Sequence, residues 1–253
     1  GDYSVQLALR GPDEIRQFSD SFNHMVKEIS SVEMLRSDFV NNLSHEFKTP
    51  IVSIRGFAKM MKREDITEAE KQEYLDIIIT ECERLSELST NVLALSKIEK
   101  QTILSDTTTY NVSEQIRQVI VMLEQKWRRK NIEINFESDE YLITGNEKLL
   151  QQVWLNLLDN AIKFSNENAA INISIRAFLN NLMISFQNDG MIISPKDKTH
   201  IFDKFYQSDS SHNESGNGLG LTMVKHIVDL HQGKIYVISN EADGTVFKIQ
   251  LSK

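Results

Sequence analysis

At 253 residues, with a formal net charge of -8 and a pI near 5.3, the chain is long enough for about two domains and shows no basic stripe of the kind that grips a nucleic-acid backbone. No apolar run reaches the ~18–20 residues of a membrane-spanning helix and no signal peptide opens the sequence, so the stretch is expected to be soluble. The single cysteine, Cys82, excludes a disulfide framework, suits a reducing cytoplasmic setting, and is expected as a small buried hydrophobe on a helix face.

In chain order, residues 12–36 read as a helix. Pro12 suits a first turn, Asp13 and Glu14 favour the helix N-terminus, and Ile15, Phe18, Phe22, Met25, Ile29, Val32 and Leu35 recur at threes and fours. The near-heptad spacing predicts a parallel coiled coil, with an ordinary packed helix as the alternative. No Gly or Pro separates this pattern from the next, in which Phe39, Leu43, Phe47, Ile51, Ile54, Ala58 and Met61 form one stripe. His45 lies two residues from both Leu43 and Phe47, turned about 200° from each at ~100° per residue, so its imidazole points outward beside Glu46. Pro50 removes a hydrogen bond to the Glu46 carbonyl and predicts a bend there. Thr67 with Glu68 and Glu70 reads as a cap for a second helix, striped by Tyr74, Ile78, Cys82, Leu85, Leu88, Val92 and Leu95. Two such hairpins would close a four-helix bundle with His45 outside.

Residues 99–111 lose periodicity and read as a linker. From Asn111 onward, helical pattern alternates with strand-like segments at 132–136, 171–175, 182–186, 234–238 and 245–251, which predicts an α/β sandwich with helices on one face of a mixed sheet. Within it, Asn156, Asn160 and Lys163 share one face of a helix expected to start near Asn146. Two amides and an ammonium there suit a metal-bound polyphosphate, although a solvated polar face fits the same spacing. Asn188-Asp189-Gly190 ends a strand, and Phe202 and Phe205 follow in Ile201–Tyr206. Taken alone, a turn and core packing explain these equally well. Gly216, Gly218 and Gly220, with Leu219 among them, precede a helix, where glycines let backbone N–H groups approach a phosphate; Gln207–Ser215 upstream has the composition of a mobile lid. No Gly-Lys-Ser or Gly-Lys-Thr follows, so this is not a P-loop.

The combination and its order resemble the cytoplasmic part of a two-component sensor histidine kinase over nearly the whole chain. Ser44–Pro50 looks like the family's H-box, Asn156–Ser165 its N-box, Asn188–Gly190 its first glycine box, Ile201–Tyr206 its F-box and Gly216–Leu221 its second glycine box. Pro12 to Met25 is similar to the last helix of a HAMP module. The resemblance implies a signalling helix over 1–36, a dimerisation and phosphotransfer hairpin over 37–100, a linker over 101–111, and a catalytic ATP-binding domain of the histidine kinase/gyrase-like type over 112–253. It also implies that His45 is the phospho-acceptor, that Glu46 is the general base, and that Thr49 positions water for dephosphorylating a partner. Asn160 would hold Mg²⁺ carried with ATP, assisted by Asn156 and Lys163, and Asn188 would accept from the adenine. Partners implied are a second copy of the chain and a response-regulator receiver domain, with the cell membrane reached through upstream segments.

One box departs from the pattern. The family has Asp, a variable residue, Gly, another variable residue and Gly, whereas this chain has Asn188, Asp189, Gly190, Met191 and Ile192, so the charged acceptor and the second glycine are lost. A kinase-weak scaffold or regulator phosphatase is therefore the alternative to an autokinase, and a gyrase-like ATPase without phosphotransfer a third reading. The zinc-protease reading of His45-Glu46 fails because position 49 is Thr rather than a second His.

Overall fold

A computed structural model describes residues 5–9, 12–208 and 216–253, in two compact units that meet at Leu85–Ser86. The first unit is built on α1 (Asp13–Met60), 48 residues long, and the first part of α2 (Glu68–Glu99). Asp13 and Glu14 sit in the first turn of α1, where the helix dipole favours negative charge, and the helix is continuous through the buried Pro50. The predicted cap of α2 is a full capping box. The Glu70 N–H donates to Thr67 Oγ1 at 3.2 Å while the Thr67 N–H and hydroxyl both donate to the Glu70 carboxylate, holding that carboxyl below its ordinary range. Leu7, upstream of α1, spends its backbone N–H and C=O on the Asn23 amide, each at 2.8 Å, and its carbonyl also accepts from Ser19.

From Phe39 onward, half-buried or buried positions on α1 run Phe39, Leu43, Glu46, Phe47, Pro50, Ser53, Ile54 and Phe57, and from Tyr74 onward those on α2 within this unit run Tyr74, Ile77, Ile78, Glu81, Arg84 and Leu85. The Phe57 and Tyr74 rings meet at 5.4 Å between the two rows. The inward row steps through Glu81 and Arg84, so Cys82, expected to be buried, is instead exposed, and Ile51 and Ala58 are also turned out of the hairpin seam. A 3.5-residue repeat puts one or other of two adjacent positions inward; Arg84 there reaches Glu46 of α1 at 3.4 Å, while Glu81 Oε2 is buried with no hydrogen-bond partner.

The second unit begins with the end of α2 and continues as β1 (Thr108–Asn111), α3 (Val112–Met122), α4 (Glu124–Arg129), β2 (Glu133–Glu137), β3 (Leu142–Gly145), α5 (Glu147–Phe164), β4 (Ala170–Phe178), β5 (Asn181–Asn188), α6 (Gly220–Leu230), β6 (Lys234–Asn240) and β7 (Gly244–Ser252). The main sheet has the order β2-β4-β5-β7-β6, with β2 parallel to β4 and the other pairs antiparallel. Thr108–Asn111, read from the sequence as aperiodic, form a small antiparallel ladder with β3, in which the Thr109 and Thr144 hydroxyls bond at 2.8 Å. Cross-strand hydroxyl pairing and the β-branch of threonine favour this pairing although the pattern is too short to show period-two alternation.

One face of the main sheet is buried through Ile171, Ile173, Ile175, Leu182, Ile184, Phe186, Ile249 and Leu251, while the other carries polar pairs such as Ser174 with Ser185 and Asn135 with Asn172. Trp154 of α5 stacks on Phe186 at 6.0 Å and donates its indole N–H to Gln115 of α3 at 2.7 Å, so the largest buried side chain leaves no donor unpaired. α3 and α5 start on the asparagines that the sequence suggests: Asn111 accepts from Ser113 and Glu114, and Asn146 from Leu149.

Candidate functional site

In the second unit, one cavity gathers residues from the expected boxes. Its wall is built from Asn156, Asp159, Asn160 and Lys163 of α5, Asn188 at the end of β5, Met191–Ile193, Ile201, Tyr206, Gly216–Gly218 and Gly220, with Thr245 and Phe247 of β7. Glu87 and Asn91, from the end of α2, also line it. Asn156, Asn160 and Lys163 face it together because steps of four and three return to one side of a helix.

The glycines are explained by what stands against them. A Cβ on Gly220 would lie 2.9 Å from Asn156 Oδ1, and one on Gly216 2.6 Å from the Lys163 ammonium, so the second glycine run lies directly on the polar face of α5. Gly218 has φ of +64°, and its carbonyl accepts the Phe205 N–H at 3.0 Å, while Thr222 of α6 donates to the Phe202 carbonyl. Phe202 and Phe205 are therefore bonded through their backbones to the glycine run and the helix after it; their neighbours Ile201 and Tyr206 reach the cavity wall. Tyr206 donates to Asp197 at 2.6 Å, which with Ser194 holds that carboxyl below its ordinary range. Gly190 and Leu219 do not line the cavity. Leu219 is fully buried, and Gly190 lets the end of β5 cross the end of α5, since a Cβ there would lie 1.9 Å from the Phe164 carbonyl oxygen. Of the lid expected over Gln207–Ser215, residues 209–215 lie outside the described residues; the Gln207 amide donates to the Gly216 carbonyl at 2.8 Å.

Two positioning groups carry no sequence motif. Lys130, after α4, donates to the carbonyls of Ile162, Lys163 and Ser165, at 3.1, 2.6 and 3.2 Å, and so satisfies the C-terminal end of α5 where the polar face terminates. His231, after α6, accepts the Asn146 N–H on Nε2 and bonds the Ile227 carbonyl through Nδ1, at the other end of α5. Among the described residues no cluster of His, Cys, Asp and Glu could hold a metal by itself, so a cation here needs ligand oxygens; an Asn amide oxygen beside bound phosphates and waters suits a hard cation such as Mg²⁺.

In the first unit, His45 and Thr49 are exposed, and the Thr49 hydroxyl donates back to the His45 carbonyl at 3.3 Å. Glu46 is 26% exposed and meets Arg84 of α2 at 3.4 Å. No motif or spacing in the sequence marks Arg84. No helix among the described residues is long and apolar enough to cross a membrane.

Residues 35–101 match the family model of the His Kinase A (phospho-acceptor) domain, and residues 145–253 that of the histidine kinase-, DNA gyrase B- and HSP90-like ATPases. The heme sensor protein HssS of Staphylococcus aureus (strain Newman) is 32% identical over 252 residues, covering 99% of this chain and 54% of that protein. The chain thus spans about half the length of such relatives. The solved catalytic domain of the histidine kinase ThkA is 33% identical, with a TM-score of 0.53 over 58% of this chain and 96% of that one. ThkA in a complex with the response regulator protein TrrA is 29% identical, with a TM-score of 0.72 over 92% of this chain and 66% of that one.

Proposed function

This chain belongs to the histidine kinases, and from that premise we propose that it phosphorylates His45 from ATP and passes the phosphoryl group to an aspartate of a response-regulator receiver domain. The observation that carries the reading is the single cavity wall shared by Asn156, Asn160, Lys163, Asn188, Gly216, Gly218 and Gly220. Such a wall offers amide oxygens, one ammonium and glycine backbone to a polyphosphate. Asn160 is the residue that would hold Mg²⁺, which supplies charge neutralisation on the phosphates when bound. Lys163 and the glycine run would orient the γ-phosphoryl group, since catalysis of this kind is chiefly positioning and electrostatics.

At the acceptor, a neutral imidazole nitrogen of His45 attacks the γ-phosphorus, the bond to the β,γ-bridging oxygen breaks, and ADP leaves. The carboxylate of Glu46 orients and takes the proton of the other ring nitrogen. Exposure of His45 suits a group that must meet both the nucleotide and a partner protein. Thr49, exposed one turn later, would position water for dephosphorylating the regulator. The apolar residues left outward on α1 support a homodimer. The likeness to a sensor protein supports reading the chain as the cytoplasmic portion of a membrane receptor.

Incubation with γ-labelled ATP tests this. The expected product is an acid-labile, base-stable label on the chain that disappears in His45→Gln, with nucleotide binding retained. Label that survives in His45→Gln removes His45 as the acceptor. A second reading, a regulator phosphatase with weak kinase activity, is favoured by Asn188 and by Ile192, which is 43% exposed and stands in the cavity wall where the family pattern has glycine. Under that reading the native chain binds ATP, labels poorly, and accelerates loss of phosphate from a phosphorylated regulator.

A further inference from the structure

Asn188 closes β5 at the wall of the cavity. It is 4% exposed, paired in register with Ile171 on one side and Thr245 on the other, and Gly244, at φ of +66°, passes so close that a Cβ there would lie 2.4 Å from the Asn188 carbonyl oxygen. The backbone therefore holds this residue firmly. Its side chain is different: Nδ2 is buried with no hydrogen-bond partner, and neither amide atom bonds any described residue.

The hydroxyls on the adjoining strands bond one another and the backbone rather than the amide. Ser239 Oγ accepts the Ile193 N–H at 2.9 Å and shares a hydrogen with Thr245 Oγ1 at 2.7 Å, and Thr245 in turn donates to the Met191 carbonyl. In a native protein nearly every buried polar atom finds a partner, so a buried amide donor facing a cavity marks where a ligand atom belongs.

An Asn amide differs from the carboxylate of the family pattern in a way that matters for base choice. A carboxylate only accepts, so it fits the 6-amino group of adenine and opposes the lone pairs of a 6-oxo group. The amide carries an acceptor and a donor side by side. In one orientation Oδ1 takes the adenine N6–H while Nδ2 donates to N1. Turned over, Nδ2 donates to O6 of a 6-oxopurine while Oδ1 takes its N1–H. The terminal torsion of Asn is broad, and no described group holds it one way.

We propose that Asn188 reads both hydrogen-bonding atoms on this edge of a purine, so that the site takes 6-oxopurine nucleoside triphosphates as well as ATP. The proposal rests on reading the cavity as the nucleotide site. Inosine triphosphate is the appropriate probe, because it differs from ATP only in the groups that the amide would touch and lacks the extra 2-amino group of guanine.

The test is competition of ATP and ITP, each with Mg²⁺, against a fluorescent adenine nucleotide on the full chain. The expected result is dissociation constants within about tenfold of each other, as two equivalent amide pairs require. Asn188→Asp, checked for folding by thermal melting, should lose ITP at least about tenfold relative to ATP, because a buried acceptor then faces the 6-oxo group. An ATP preference above about a hundredfold in the native chain overturns the proposal while leaving the ATP site intact, as does an unchanged ratio in folded Asn188→Asp. Should neither nucleotide displace the probe at millimolar concentration, the nucleotide site itself falls and the proposal with it. The native ratio decides alone if the variant does not fold.

Discussion

His231 shows how much a single residue outside every motif contributes to the candidate site. Its Nε2 accepts the Asn146 N–H at 3.1 Å, Nδ1 bonds the Ile227 carbonyl at 2.7 Å, and the ring packs where a Cβ on Gly145 would stand 3.0 Å away. This arrangement needs the neutral tautomer with its proton on Nδ1, because a protonated ring cannot accept from Asn146. Burial, only partly offset by the Ile227 carbonyl, pushes the His231 pKa below its ordinary value. The unfolded chain therefore binds more protons than the folded one in this range, and stability rises with pH. The contribution is complete above the unfolded value of about 6.5 and is lost as pH falls from there through the lower folded value. Urea unfolding followed from pH 7.5 to 5.5 should show a loss on the order of 1 kcal/mol that is absent in His231→Gln, whose amide oxygen accepts at any pH. An equal slope in both proteins would assign the pH dependence elsewhere. Asn146 was readable as a cap because its signature is local, whereas the histidine that seats it lies 85 positions away and no spacing rule connects them.

At the scale of elements, the glycines separate into those that hold two elements together and those that only interrupt one. Gly190 lies where β5 leaves the sheet against the last turn of α5; an isolated bridge joins it to Ser165, and the Met191 N–H donates to the Phe164 carbonyl at 3.2 Å. A methyl group there would meet that same carbonyl oxygen at 1.9 Å, and backbone on both sides leaves it nowhere to go. Gly56 sits in the interior of α1 with nothing within 4 Å of its would-be Cβ. Gly190→Ala should therefore cost at least about 3 kcal/mol and weaken nucleotide binding, because the N-box helix and Asn188 meet at this crossing. Gly56→Ala should instead stabilise by about 0.5–1 kcal/mol, as the helix no longer carries the entropy of glycine. Denaturant midpoints of both variants check this, and comparable effects in the two would show that close approach is not what selects Gly190. Helix starts and strand patterns were legible because capping and period are local: Thr67 with Glu70, Asn111, Asn146, and the alternation in β4 and β5. β1 and β3 escaped because four residues are too few to display a period, and Cys82 because a stripe read one position at a time does not reveal that Glu81 and Arg84 occupy the seam.

For the whole molecule, the decisive feature is apolar surface that one chain cannot cover. Along α1, Ile15, Phe18, Met25, Ile29, Val32 and Leu35 are 42–69% exposed, and they recur at steps of three, four and seven residues, close to the spacing of a coiled-coil seam. On the hairpin, Val40, Ile51, Val52, Ile79 and Leu93 are similarly exposed. Each such side chain gains about 1.5–3 kcal/mol when fully buried, so even half of that over this set exceeds what a surface salt bridge or cap contributes. A second copy of the chain satisfies the seam without any new sequence, because a parallel pair places each residue opposite itself. The chain should therefore sediment as a dimer at micromolar concentration, at twice its 29.1 kDa. Val32→Glu combined with Leu35→Glu puts like charges at the point where the seam is most exposed, and should weaken dimerisation by at least about a hundredfold. The fold of the second unit should survive, read from an unchanged nucleotide affinity. A native chain that sediments as a monomer would mean that this surface is covered by something other than its own copy.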